Sequence, residues 1–184
     1  MNLLYNSTDA QILLTSNEGW GLSLTEAILA GNPIIANVTG GMQDQMRFEF
    51  EDGTWIDFDA DFPSNHRGTY KKHGEWAFPV FPSSRTMVGS PQTPYIWDDT
   101  CRPEDAAEQI KAIYDLNPEE RKAKGLKGRE WAVSKEAGFT SEWQGERVIE
   151  AFDTLFANWQ PREKYELINV NEVKDRVINH KLLY

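Results

Sequence analysis

The chain has 184 residues, 40% hydrophobic and 12% aromatic, enough to bury a core as one domain or as one domain with extensions. A net charge of −10, from 29 acidic and 19 basic residues, excludes a general attraction to nucleic acid or anionic membranes, which relies on clustered lysine and arginine. Cys101 is the only cysteine, so no intramolecular disulfide can form and a reducing, cytoplasmic setting is expected.

The opening "MNLLYNSTDA" lacks the basic segment and apolar run of a secretory leader. No stretch approaches the roughly 20 apolar residues of a membrane span, so no direct membrane insertion is expected. Residues 2–8 read as a short helix, and "AQILLTS" (10–16) as a buried parallel strand. "SLTEAILAG" reads as a helix with Ser23 as N-cap, Leu24, Ala27, Ile28 and Ala30 packing inward, and Gly31 as its stop. "PIIANV" (33–38) is a second strand, with Pro33 at its permitted first position. Strand, turn, helix, strand is a βαβ unit, which predicts an α/β fold built on a parallel sheet.

"TGGMQDQM" is expected to open another helix. Residues 48–97 then turn aromatic and rich in glycine and proline, without helical periodicity. A structureless loop of that length is improbable in a compact domain. An ordered excursion is predicted, with hairpins at 54–59 and 76–81. Helices return at 103–116, 118–137 and 141–159. The first begins with proline and places Ala106, Ile110, Ile113 and Tyr114 near one face. The last opens with Ser-x-x-Gln, a capping box, and packs Trp143, Ile149, Phe152 and Phe156. The predicted organisation is an incomplete domain over 1–160, an insertion at about 48–93, and an extension over 161–184 with a strand at 165–170.

The chemistry concentrates in "EGWGLSLTE". Glu18 and Glu26 flank a glycine turn and a helix start, and residues 1–46 contain no lysine or arginine. Ser23-x-x-Glu26 is itself a capping box, so Glu26 has a structural reading as a cap. Glu18 reads equally as a solvated loop acid and Trp20 as a core ring. The alternative reading uses the same geometry. Ligands of parallel sheets bind beyond the carboxyl ends of the strands. A glycine turn lets backbone approach a ligand, and a helix N-terminus presents unpaired N–H groups to phosphate. Carboxylates on either side repel phosphate but accept hydrogen bonds from sugar hydroxyls. A nucleotide sugar has hydroxyls at both ends and phosphates between.

"EGWGLSLTEAILAGNPIIA" resembles the Glu-x7-Glu motif of GT-B retaining glycosyltransferases, especially glycosyltransferase family 4. "LLYNSTDAQILLTS" resembles the helix and strand before that motif, and "TGGMQDQM" the Gly-Gly loop after the next strand. "PYIWDDTCRPEDAAEQIKAIYDL" resembles the final strand and acidic helix, so the resemblance covers about 2–47 and 94–159. It implies a partial Rossmann-like sheet, the donor-binding C-terminal domain of the GT-B fold. Glu18 would contact hydroxyls of the donor sugar at the reacting centre. Gly19, Trp20 and Gly21 would shape the pocket with backbone amides, Leu22 and Ser23 amides would lie near the diphosphate, and Glu26 would accept the ribose hydroxyls. Gly40 and Gly41 are further donor-site candidates. The nucleotide sugar is a substrate, and neither a cofactor nor a metal is implied.

In that family an Arg–Lys pair grips the diphosphate from segments N-terminal to anything present here, and the acceptor domain precedes them. The chain is therefore expected to be a donor-binding part that needs an acceptor-binding domain or subunit, in cis or in trans. Losing two charge-assisted hydrogen bonds, each worth about 1.5–3 kcal/mol, would weaken diphosphate binding by orders of magnitude. Arg67, Lys71, Lys72 and Arg85 are the candidates to substitute, against an ordinary role as surface charge. Asp57, Asp59 and Asp61 invite a calcium reading, but Phe62 and Gly68 stand where the EF-hand loop needs glycine and glutamate. His66 and His73 read as surface histidines rather than zinc ligands. Two further functions stay open: a non-catalytic binding or assembly module derived from the same fold, and a sugar-nucleotide epimerase.

Overall fold

The computed structural model describes residues 2–56 and 62–161. In chain order they form α1 (Asn2–Tyr5), β1 (Gln11–Leu13), α2 (Leu22–Ala30), β2 (Ile34–Asn37), β3 (Ala77–Val80), β4 (Ser84–Val88), β5 (Ile96–Thr100), α3 (Pro103–Tyr114), α4 (Pro118–Val133) and α5 (Ser141–Asn158). The fold is α/β. A three-stranded parallel sheet in the order β1-β2-β3 carries flanking helices, and β4 and β5 form a separate antiparallel hairpin.

Central strand β2 is buried along its whole length, as the apolar run Ile34-Ile35-Ala36 requires. Ile34 and Ala36 belong to one core with Leu24, Ala27 and Ile28 of α2 and Trp131 of α4. Ile35 belongs to a second core with Val80 of β3 and Ala106 and Ile113 of α3. The sheet is thus covered on both faces. Helix α2 ends at Gly31, φ 87°, where the Gly31 and Asn32 amides bond back to the carbonyls of Ile28 and Ala27. Helix α4 starts on a capping box between Asn117 and Glu120. It packs against α2 through glycine, since a Cβ on Gly125 would lie 1.9 Å from the Gly31 carbonyl oxygen.

The aromatic stretch departs most from expectation. Residues 77–80 are not a hairpin but the third parallel strand of the main sheet. Pro79 is tolerated there because β3 is an edge strand, paired only with β2. Around the predicted 54–59 hairpin, a turn at 50–53 brings Trp55 opposite Glu49, and 57–59 lie outside the described residues. "TGGMQDQM" forms two short 3-10 turns, Gly40–Met42 and Asp44–Met46, rather than a helix, ending at Arg47 with φ 50°. "IWDDT" pairs with β4 rather than joining the parallel sheet. The acids Asp57, Asp59 and Asp61, the strand predicted at 165–170 and most of the 161–184 extension also fall outside the described residues.

His66 is not a surface histidine. It is 4% exposed, ringed by Phe48, Phe62, Tyr70 and Phe81, and neither ring nitrogen has a hydrogen-bond partner among the described residues. Burial pushes its pKa down to about 4, with Lys71 acting in the same direction. The folded state therefore binds fewer protons than the unfolded chain between about pH 6.5 and 4. Stability present above pH 6.5 is lost as pH falls through that window, by about 3 kcal/mol. His66→Phe is expected to lack this component. Urea denaturation of both proteins from pH 7 to pH 4 checks it, and parallel stability curves would contradict it.

The chain divides into two compact units, 1–146 and 147–184. The sheet and both cores belong to the first. In the described part of the second, Ile149, Phe152 and Phe156 are exposed rather than packed, and the two phenylalanines stack on each other at 6.1 Å. On α3, Ala106 and Ile113 are buried as expected, whereas Ile110 and Tyr114 are exposed. The Gln144 side-chain amide donates to the Gly138 carbonyl. Among the described residues, no helix is long and apolar enough to cross a membrane.

Candidate functional site

The carboxyl ends of β1 and β2 lead into two loops, 14–21 and 38–46, that lock together through backbone. The Gly41 amide donates to the Glu18 carbonyl at 3.3 Å. A Cβ on Gly40 would lie 2.0 Å from the Glu18 carbonyl oxygen, and one on Gly41 would lie 2.2 Å from that of Gly19. Only glycine permits this approach. Gly19 itself is exposed, with nothing within 4 Å of where a Cβ would stand. The turn is therefore tight on its inner side and open on its outer side.

Helix α2 begins two residues earlier than the spacing predicted. Its N-cap is Gly21, in the left-handed region at φ 82° and ψ 63°, and no side chain caps it. Ser23 lies inside the first turn, so the predicted Ser23–Glu26 capping box does not form. The first-turn amides, those of Leu22 and Ser23 among them, belong to the group that helix geometry leaves without intrahelical partners. Glu26 is held otherwise: its Oε2 accepts the Tyr5 hydroxyl at 2.7 Å. That bond is the main reason the Tyr5 hydroxyl is pushed above its ordinary pKa, followed by burial and the carboxylate's charge. Glu26 is exposed, and its two alternatives narrow to a carboxylate oriented by tyrosine.

Glu18 is half-buried, and its Oε1 accepts the Trp20 amide at 3.4 Å. The Trp20 ring faces Phe139 edge-on at 5.4 Å, and Phe139 meets Trp131 at 5.2 Å. Trp131 in turn stacks on Trp76 at 4.9 Å. Trp20 thus anchors the turn to the core through its ring, while its Nε1 donates to Thr25 Oγ1 at 2.9 Å. Thr25 donates onward to Gln45 Oε1, and Gln45 Nε2 donates to the carbonyls of Trp20 and Gly21. Fully buried Gln45 therefore ties the 38–46 loop to the turn. Sequence reading missed this residue because a lone glutamine between Asp44 and Met46 carries no motif.

A second missed group closes the same end of the sheet. Asp99 on β5 is completely buried and accepts the Thr39 hydroxyl at 2.7 Å through Oδ2. Its amide donates to the Ser16 carbonyl, and Asn37 Nδ2 donates to the carbonyls of Thr15 and Asp99. Arg85 Nε stands 3.4 Å from Asp99 Oδ1. Asn37 Oδ1, Asp99 Oδ1 and Arg85 Nε are buried without a hydrogen bond among the described residues. The only sequence signal was Arg85 and Asp99 falling opposite each other once "SRTMV" and "IWDDT" are paired.

The four cations considered as substitutes divide sharply. Arg67 is exposed, Lys71 lies over the Phe81 ring, and Lys72 pairs with Glu51. Arg85 alone of the four reaches the loops after β1 and β2, through Asp99 and Ser64. Arg47, the first cation of the chain, is bound to Glu49 and Glu136, and its guanidinium holds the Glu136 carboxyl below the usual range. Burial pushes the Cys101 thiol up, which disfavours a nucleophilic thiolate.

The arrangement presents an exposed glycine backbone, an uncapped helix N-terminus, one carboxylate on each side and an arginine nearby. It can accept hydroxyls at two points and donate to an anion between them. Compared with protein-family models and with curated proteins, the chain matches no family model and no curated protein.

Proposed function

We propose that this end of the sheet is the nucleotide-sugar wall of a retaining glycosyltransferase, which transfers a sugar to an acceptor hydroxyl held by another domain or subunit. The observation that carries the reading is the α2 N-terminus without a side-chain cap, flanked by Glu18 and Glu26. Neither carboxylate caps the helix: Glu18 accepts the Trp20 amide and Glu26 the Tyr5 hydroxyl. Sequential β1-β2-β3 order also suits one half of a dinucleotide-type sheet. Glu18 accepts hydroxyls of the sugar. Glu26, oriented by Tyr5, accepts those of the ribose. The α2 amides face the diphosphate between them.

In the transfer, the bond from the anomeric carbon to the phosphate oxygen breaks as the acceptor oxygen bonds to the same face. The acceptor proton passes to the departing phosphate. Charge growing on that phosphate is met by preorganised N–H donors, and such stabilisation is usually the largest catalytic contribution. A second reading, a non-catalytic assembly module, draws on the exposed apolar residues of α5, Ile149 and Phe156 among them.

Calorimetric titration with nucleoside diphosphates and their sugar conjugates separates the two. Weak binding is expected, in the range of about 0.1–1 mM, near 4–5.5 kcal/mol. Glu26→Gln should weaken both ligand classes roughly fivefold to thirtyfold, and Glu18→Gln should weaken only the sugar conjugates. Wild-type affinity in both folded variants, or no binding at millimolar concentrations, would favour the assembly module.

A further inference from the structure

At the carboxyl end of the sheet stands a guanidinium whose hydrogen-bonding capacity is largely unused. Arg85 lies on β4 directly opposite Asp99 on β5, with its side chain 22% exposed. Among the described residues its one hydrogen bond runs from Nη2 to Ser64 Oγ. A guanidinium has five N–H donors in a planar fork. The Asp99 carboxylate does not consume the rest: its separation from Arg85 Nε, 3.4 Å, exceeds the roughly 2.7–2.9 Å of a charge-assisted bond. The Trp97 ring, 5.2 Å from the guanidinium carbon, lies against it.

The position of Arg85 follows from its neighbours. Ser64, which receives its hydrogen bond, also accepts the Gly40 amide through its carbonyl at 2.8 Å. Asp99, behind it, is bonded to Thr39 and to Ser16. The arginine is therefore one residue removed from each of the loops that form the glycine turn and its glycine partner. Residues 1–46 supply no cation of their own. A buried carboxylate, a hydroxyl and an indole hold the guanidinium in one orientation while leaving donors for a multidentate oxyanion. That is how arginine recognises phosphate.

We propose that Arg85, delivered by the β4–β5 hairpin, is the residue that binds the diphosphate of the ligand at this site. The proposal rests on the nucleotide-sugar reading for its ligand but not for its anion chemistry. Asp99 and Trp97 are positioning residues for it. The hairpin thereby supplies a positive charge to a wall whose remaining polar groups are carboxylates and backbone amides.

Inorganic pyrophosphate and a panel of nucleoside diphosphates are titrated separately into the full chain, Arg85→Gln and Arg85→Lys, at two salt concentrations. The Tm of each protein is recorded. Wild type should bind pyrophosphate with an affinity that falls as salt rises. Arg85→Gln should weaken it tenfold or more and flatten the salt dependence, while Arg85→Lys, which keeps the charge without the fork, should lose less. Should Arg85→Gln not fold, a several-fold loss in folded Arg85→Lys supports the proposal and unchanged affinity overturns it. A lowered Tm with unchanged pyrophosphate affinity would make Arg85 a strut and overturn it, as would no pyrophosphate binding by wild type. If nucleoside diphosphates bind no better than pyrophosphate while Arg85→Gln still loses pyrophosphate, the nucleotide reading fails and the anion site stands. If nucleoside diphosphates bind equally to wild type and Arg85→Gln, the reverse holds.

Discussion

Gly41→Ala is expected to destabilise the fold by about 3 kcal/mol, the upper range for overpacking. Its Cβ would lie 2.2 Å from the Gly19 carbonyl oxygen and 3.0 Å from the Trp20 Cα, so backbone rather than a flexible side chain must move. Gly40→Ala meets the Glu18 carbonyl in the same way and adds the cost of an alanine at φ 52°. Because the displaced atoms belong to the turn, ligand binding should fall together with stability. Gly19→Ala is the control. It meets nothing within 4 Å, so stability should change by less than about 0.5 kcal/mol. Urea unfolding of the three variants checks this, and equal stabilities for Gly19→Ala and Gly41→Ala would contradict the close approach of the loops.

Asp99→Ala should cost about 3–5 kcal/mol. The carboxylate is fully buried, and removing it strands the Thr39 hydroxyl and leaves the Arg85 guanidinium without its counter-charge. It also loosens the hairpin, whose Asp99 amide donates to the Ser16 carbonyl of the β1 loop and whose Asp99 carbonyl accepts the Asn37 side-chain amide of β2. Asp99→Asn keeps an acceptor for Thr39 but not the charge, so a smaller loss of about 1–2 kcal/mol is expected. Chemical denaturation with unchanged m-values would measure both. A neutral Asp99→Ala would mean that the pair contributes nothing net, as some buried ion pairs do when both partners are replaced.

The βαβ unit was legible because its signals are local. An apolar run, a glycine turn, a helix stop and a second apolar run occur in order over residues 10–38, and each formed close to its predicted place. Helices α3 and α4 were legible for the same reason, with proline at each start. What was missed depends on distant partners. Strand β3 was read as hairpin because it lies in an aromatic stretch rich in glycine and proline, and its place at the edge of the parallel sheet cannot be known before the sheet order is known. His66 was read as a surface histidine because it falls in a loop-like stretch with no cysteine nearby, whereas Phe48, Tyr70 and Phe81 enclose it.

The site itself divides the same way. Glu18, Gly19, Gly21 and Glu26 were visible as a motif and lie together around the α2 start. The proposed Ser23 cap failed by two residues because Gly21 takes a left-handed conformation that serine adopts only at a cost. Tyr5, Gln45, Thr39 and Asp99, which hold the site in shape, are invisible in sequence because each bonds to a residue 20 or more positions away. Arg85 reaches the loops after β1 and β2 from a stretch read as an ordered aromatic excursion, with hairpins expected at 54–59 and 76–81 but none at 84–100.

Amide chemical-shift mapping decides whether a nucleotide sugar binds at the start of α2. The isotope-labelled chain is titrated with nucleotide sugars of different bases, and each backbone amide is followed. Saturable shifts are expected, centred on the amides of Gly19, Gly21, Leu22, Ser23 and Glu26 and larger for the nucleotide sugar than for the free sugar. Saturable shifts confined to other parts of the chain, with Gly19–Ser23 unmoved, would contradict it.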